Sequence, residues 1–150
     1  KLLAVDDVAL RWVVTRCAAV KARYVEADER DVNGTRAALN YGHTLGHAAE
    51  TLSGHEVRHG EGVAIGMVAA SRVAVKLNLL RREDLERQIR LLEALGLPTE
   101  LPYGVEEALP LMRRDKKAEG GAIRMGLPTG VGAQPAVRNV TEDELREALG

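Results

Sequence analysis

Arg36, Asn40, His43 and His47 recur at intervals of four, three and four residues in the run Arg36-Ala-Ala-Leu-Asn-Tyr-Gly-His-Thr-Leu-Gly-His47. Wound as an α-helix at about 100° per residue, all four project within an arc of roughly 60°. A cation, an amide and two imidazoles then line one narrow stripe. Buried helix faces ordinarily carry Leu, Val or Ala in that position, and exposed faces carry mixed Lys and Glu. The stripe reads as the wall of a site that handles an anion together with a metal or a proton.

Each part of the stripe has its own chemistry. His43 and His47 lie one helical turn apart, the spacing with which helical zinc sites present two imidazoles to one ion. A metalloprotease of this kind also needs Glu directly after the first His as general base, and Thr44 stands there instead. His59, followed by Gly60 and Glu61 at the mouth of a later helix, can point sideways toward the stripe and complete a metal triad with His43. His55 reads as a loop residue. Gly42 and Gly46 flank the stripe, and two mid-helix glycines cost about 1 kcal/mol each relative to Ala. That cost makes sense where a ligand, or the backbone of a neighbouring helix, approaches closely. Lys21 ends the first helix, where the macrodipole favours a cation. The charged run Arg113 to Lys117 reads as a solvated face, or as an arm reaching for a phosphate.

These side chains need elements to hold them. A helical period runs from about Asp6 to Val25, with Asp6 and Asp7 where an N-cap is wanted. Asn33-Gly34 signals a turn, and the motif helix follows from about Thr35 to Thr51. A third helix from about His59 to Leu77 carries Gly62, Ala64, Gly66, Ala69, Ala70 and Ala74, so it can lie very close to a neighbour and is expected to be the central, most buried one. Asn78 stops it. A fourth spans about Arg82 to Leu95 and is ended by Gly96 and Pro98. A short helix from Val105 to Arg113 is one that Pro110 would disturb away from its boundary. Ala122 to Pro128 and Ala136-Val137 form a small β-hairpin, and Thr141 with Glu144 makes a capping box for a final helix. The fold class is therefore mainly α, a helical bundle with a possible minor β-hairpin.

At 150 residues the chain fits one domain. A net charge of −1 gives no electrostatic reason to expect nucleic acid or an anionic membrane as partner. Cys17 is the sole cysteine, which excludes a disulfide framework and a thiolate zinc cluster. No apolar run reaches the ~18 residues of a membrane span, and a cytoplasmic location is the expectation. The start, Lys1-Leu-Leu-Ala-Val-Asp-Asp, reads as a cut inside a longer chain.

Taken together, Arg36-x-x-Leu-Asn40-Tyr-Gly-His43-Thr-x-Gly-His47-Ala-x-Glu50, then His59-Gly-Glu-x-Val-Ala-x-Gly-Met67, then Asp115-Lys-Lys117 with Gly120-Gly121, resembles the 3-dehydroquinate synthase family. The resemblance covers essentially the whole chain but only the C-terminal, helical half of that enzyme. It implies a zinc- and NAD-dependent lyase of the shikimate pathway that converts 3-deoxy-D-arabino-heptulosonate 7-phosphate into 3-dehydroquinate and phosphate. The implied cycle is alcohol oxidation, phosphate elimination, ketone reduction, ring opening and aldol closure. Zinc, or another divalent metal such as cobalt, polarises the hydroxyl that is oxidised.

By position, the resemblance makes His43 and His59 two of three zinc ligands and His47 a substrate-facing group that moves protons. Asn40 becomes a substrate-binding and catalytic amide near the phosphate, and Lys21 with Arg36 the clamp on the substrate carboxylate. Lys117, or its neighbour Lys116, becomes the phosphate-binding lysine. The third zinc ligand, a Glu in a Glu-x-x-Lys motif, and the NAD-binding α/β domain are expected upstream of residue 1. The family also has a Glu shortly before the motif Arg. Here the nearest carboxylate is Asp31, and the Val32 to Thr35 stretch is one residue longer. The expectation is a catalytic half-domain, inactive alone and homodimeric when full length. The alternatives are a related sugar-phosphate cyclase and a non-catalytic helical metal-binding module.

Overall fold

The computed structural model describes residues 2–30, 32, 35–115 and 122–150. Asp31, the Asn33-Gly34 turn, Lys116, Lys117 and Gly120-Gly121 lie outside the described residues. The chain divides into two compact units, residues 1–39 and 40–150.

The first unit is built on α1, Asp7–Ala27. Asp6 caps it, its Oδ1 accepting from the Ala9 amide at 2.8 Å, and Asp7 pairs with Arg11 one turn on. None of the α1 residues is buried, and Val8 and Trp12 stand exposed. The helix continues past Lys21 to Ala27, and its last turn carries no basic residue. Lys21 is therefore an exposed interior residue of α1, and the macrodipole account of it fails.

A short 3-10 helix, Thr35–Asn40, follows. The sequence predicts one continuous motif helix from Thr35 to Thr51, and here the structure differs. Gly42 adopts the left-handed conformation at φ 82°, and α2 begins only at His43, running to Leu52. Arg36 and Asn40 are thus not on the α2 stripe. Only His43 and His47 keep the one-turn spacing.

The second unit holds the rest. α3 spans His59–Lys76, α4 Arg82–Ala94 and α5 Val105–Asp115. The β1 strand, Ile123–Leu127, pairs antiparallel with β2, Ala136–Val140, in the register Ile123 to Val140 and Leu127 to Ala136. The last helix, α6, covers Glu142–Leu149 behind the expected capping box, the Glu144 amide donating to Thr141 Oγ1 at 3.2 Å. Pro110 lies inside α5 without ending it. Asn78, at φ 57°, and Gly96, at φ 72°, supply the left-handed residues that follow α3 and α4.

The core gathers Leu45 and Ala48 of α2, Ala69 and Val73 of α3, Leu109 and Met112 of α5, Ile123 and Leu127 of β1, Val140 of β2 and Leu145 of α6. With no Phe in the chain, this packing is aliphatic and sulfur-based. Ten α3 residues are buried, which makes it the central helix, as its composition predicts.

The closest approach in the unit is backbone against backbone. A Cβ on Gly66 would stand 1.8 Å from the Gly42 carbonyl oxygen, and one on Gly46 would stand 2.9 Å from that of Gly62. Side chains here would hold α2 and α3 apart. Gly60, by contrast, has open space around its missing Cβ. Gly66→Ala is expected to destabilise the fold by about 3 kcal/mol or more, whereas Gly60→Ala gains up to about 1 kcal/mol from helix propensity. Urea unfolding followed by circular dichroism reads both, and equal midpoints for the two variants would contradict the close-packed seam.

Candidate functional site

The seam sets the positions of three imidazoles. His43 opens α2, His47 lies one turn along it, and His59 opens α3. Their ring centres are 5.6 Å apart for His43 and His47, 5.5 Å for His43 and His59, and 6.1 Å for His47 and His59. An ion bound about 2.0–2.1 Å from each ligating nitrogen sits about 3.2 Å from each ring centre, so imidazoles sharing it tetrahedrally have centres about 5 Å apart. The three rings are thus gathered at one place, with the His43 ring edge-on to the other two and the His47 ring stacked on that of His59.

Local structure explains why these side chains meet. Glu61, at the third position of α3, turns back to accept from the Arg58 amide at 2.9 Å and from the Arg58 guanidinium Nε at 3.0 Å. This reciprocal clasp defines the helix start and so where His59 emerges. The hydrogen bonds from Arg58 hold the Glu61 carboxyl below the usual carboxylate range. At the α2 start, the Nδ1 of His43 faces the Tyr41 carbonyl oxygen at 3.3 Å. A proton on Nδ1 would donate there and leave the Nε2 lone pair for a ligand or ion.

Tyr41 is itself pinned. Its hydroxyl lies 2.7 Å from Ser71 Oγ, 3.0 Å from Gln88 Oε1 and 3.2 Å from the Met67 carbonyl oxygen. Ser71, fully buried on α3, donates to Gln88 Oε1 at 2.7 Å. One phenol thus ties the Gly42 turn to both α3 and α4. Burial pushes the Tyr41 hydroxyl pKa up from its ordinary value, against the opposing effect of the Ser71 and Gln88 hydrogen bonds.

Glu50 is the residue that sequence reasoning left without a role. Its carboxylate oxygen Oε1 lies 2.9 Å from His59 Nδ1. Among the described residues, the ligand atoms of His47, Glu50 and His59 all lie within 4.8 Å of one another. Glu50 follows His47 by three residues, so helical spacing alone places it on the same face of α2. That was the available signal.

The other expected site residues divide by unit. Asn40, exposed, opens the second unit two residues before the Gly42 turn. Lys21 and Arg36 belong to the first unit, where the Arg36 guanidinium donates to the Glu29 carbonyl oxygen at 3.3 Å. His55 is an exposed loop residue at φ 69°.

The Tyr41 hydroxyl yields a pH test. A phenol whose folded pKa is raised contributes its stability below the unfolded value near 10, and loses it as pH climbs through the folded value. Tyr41→Phe is expected to lower stability by about 1–2 kcal/mol at neutral pH. It should also flatten the alkaline decline that sets in near pH 10 and runs upward from there. Denaturant melts across that range measure both, and parallel wild-type and variant curves would rule the account out.

Comparisons with known proteins converge on one family. Residues 1–118 match the family model described as 3-dehydroquinate synthase C-terminal. The 3-dehydroquinate synthase of Nostoc punctiforme is 46% identical over 140 residues, covering 91% of this chain and 38% of that protein. The enzyme of the same name from Desulforamulus reducens is 43% identical over 152 residues, covering 99% of this chain and 42% of that protein. The chain thus spans about two-fifths of the length of these relatives.

Among solved structures, 2-epi-5-epi-valiolone synthase from Streptomyces hygroscopicus, with NAD+ and Zn2+ bound, superposes with a TM-score of 0.78 at 25% identity, over 91% of this chain and 38% of that one. A 2-deoxy-scyllo-inosose synthase complexed with carbaglucose-6-phosphate, NAD+ and Co2+ gives a TM-score of 0.62 at 28% identity, over 73% of this chain and 32% of that one. By fold and by sequence, the chain belongs to the 3-dehydroquinate synthase C-terminal family.

Proposed function

We propose that this chain is the metal- and substrate-binding half of a 3-dehydroquinate synthase, which converts 3-deoxy-D-arabino-heptulosonate 7-phosphate to 3-dehydroquinate and phosphate. The observation that carries the reading is the convergence of His43, His47 and His59, with centres no more than 6.1 Å apart, on the α2–α3 seam.

His43 and His59 would hold a zinc or cobalt ion, each through one neutral imidazole nitrogen. Such an ion supplies Lewis-acid polarisation of a substrate hydroxyl. His47, exposed on the same face, carries a proton to or from the substrate, a general acid–base task for which imidazole is the commonest side chain. Asn40 donates its amide to the substrate near the phosphate. Lys21 and Arg36 bind the substrate carboxylate, the planar guanidinium by paired hydrogen bonds. Lys117 or Lys116 binds the phosphate. NAD is held mainly by an N-terminal domain that precedes this chain in the whole enzyme, which works in the cytoplasm as a homodimer. Two histidines without a carboxylate ligand from that domain make a weak metal site, and the chain alone turns nothing over.

A related sugar-phosphate cyclase is the second reading, favoured by the likeness in fold to the valiolone and inosose synthases. The higher identity, 46% against 28% or less, supports the first. Paired cations at Lys21 and Arg36 support it too, since a substrate without a carboxylate gives them nothing to neutralise.

Two experiments test the reading. Calorimetric titration of the chain with Zn2+ should show weak binding that falls at least about tenfold in His43→Ala and in His59→Ala. The full-length enzyme should release phosphate from the seven-carbon acid phosphate and not from neutral sugar phosphates, while the chain alone releases none. Phosphate release by the isolated chain would refute the half-domain assignment, and preference for a neutral sugar phosphate would shift it to the second reading.

A further inference from the structure

We propose that Glu50 is a positioning residue for His59: its carboxylate holds the proton of His59 on Nδ1, so that Nε2 keeps its lone pair for the shared ion. The inference deepens the metal-site reading and rests on it for its consequence in binding.

The two side chains differ in freedom. The His59 side chain is 62% exposed, and that of Glu50 is 18% exposed. His59 stands at the first residue of α3, with solvent on most of its ring. Glu50 sits near the end of α2 and packs into the seam, where a Cβ on Gly62 would come within 2.9 Å of Glu50 Cγ. The missing side chain at Gly62 is the space that the Glu50 carboxyl arm occupies. The carboxylate is therefore the fixed partner and the imidazole the one being held.

Tautomer choice makes the contact matter. In water a neutral imidazole favours the proton on Nε2, the nitrogen that a bound ion would need. A carboxylate 2.9 Å from Nδ1 reverses that preference, because it accepts from Nδ1–H and only repels a bare Nδ1 lone pair. It also fixes the ring plane, aiming Nε2 away from Glu50.

Direct ligation by Glu50 is the rival role. Two ligand atoms on one tetrahedral zinc ion lie about 3.3 Å apart. Oε1 and Nδ1 are at 2.9 Å, a hydrogen-bond separation, so these two atoms face each other and not a common ion. His43 and His47 are its ring neighbours, the first edge-on with centres 5.5 Å apart and the second stacked with centres 6.1 Å apart.

The test uses the 150-residue chain, with Glu50→Gln, which retains an acceptor oxygen, and Glu50→Ala, which does not. Nitrogen-15 NMR of the metal-free protein, at a pH where the spectrum itself shows His59 neutral, should find it protonated on Nδ1 in wild type and Glu50→Gln. In Glu50→Ala the proton should move to Nε2. Calorimetric Zn2+ affinity should fall about 10–100-fold in Glu50→Ala and only a few-fold in Glu50→Gln.

Wild-type His59 protonated on Nε2, or a Glu50→Ala protein that keeps the Nδ1 tautomer, overturns the proposal. So does a zinc-edge absorption spectrum that loses an oxygen ligand in Glu50→Ala, which would make Glu50 a ligand. If the wild-type chain takes up no Zn2+, the metal reading of the isolated chain fails instead, and the tautomer measurement still decides what Glu50 does to His59.

Discussion

Everything in the second unit depends on one contact, the meeting of two bare helix backbones. Gly46 against Gly62, and Gly42 against Gly66, bring the backbones of the α2 start and α3 together with no Cβ of their own between them. The distance between helices normally reflects the bulk of the residues packed between them. Here it is set by carbonyl oxygens, which do not change rotamer. A hard-walled joint of this kind positions what is attached to it more narrowly than a leucine interface can. What is attached is His43 and His47 on one helix and His59 on the other. Sites held by rigid elements keep their geometry to within fractions of an ångström, and metal ligation needs that.

Much of this arrangement is legible in the sequence, for definite reasons. α3 reads as the buried helix because its Gly and Ala residues recur where charged side chains would otherwise fall. The α4 and α6 boundaries follow from Gly96 and from the Thr141 capping box, both local and strongly determined. The close approach of a neighbouring backbone at Gly42 and Gly46 is likewise inferable from what two glycines cost inside a helix. So is a meeting between His59 and the earlier histidines, since residue 59 can open a helix that packs on α2.

The continuous stripe from Arg36 to His47 is where pattern reading fails. Periodicity cannot distinguish a helix that runs on from two helical segments joined by one left-handed residue, because both keep polar groups at similar spacing. Gly42 takes φ 82° without strain, and the same residue is tolerated in a straight helix at modest cost. Tertiary contact decides between the two. The Gly42 carbonyl lies where Gly66 admits it, and no local rule contains Gly66. Lys21 fails for a related reason: α1 runs six residues further because nothing in Ala22 to Ala27 stops it. Glu50 escaped notice because its role belongs to a pair, and its partner lies nine residues away on another helix.

The phenol of Tyr41 has a consequence beyond its own burial. It touches Gln88 on α4 and Ser71 on α3, while its main chain ends at an oxygen 3.3 Å from an imidazole nitrogen of His43. A side chain on the far helix is thereby two contacts from the histidine cluster. Residues joined through one such network do not respond independently, and their energetic effects fail to sum. Gln88 and His43 are thereby joined through one residue, even though neither side chain touches the other, and changes at the two are expected to be non-additive.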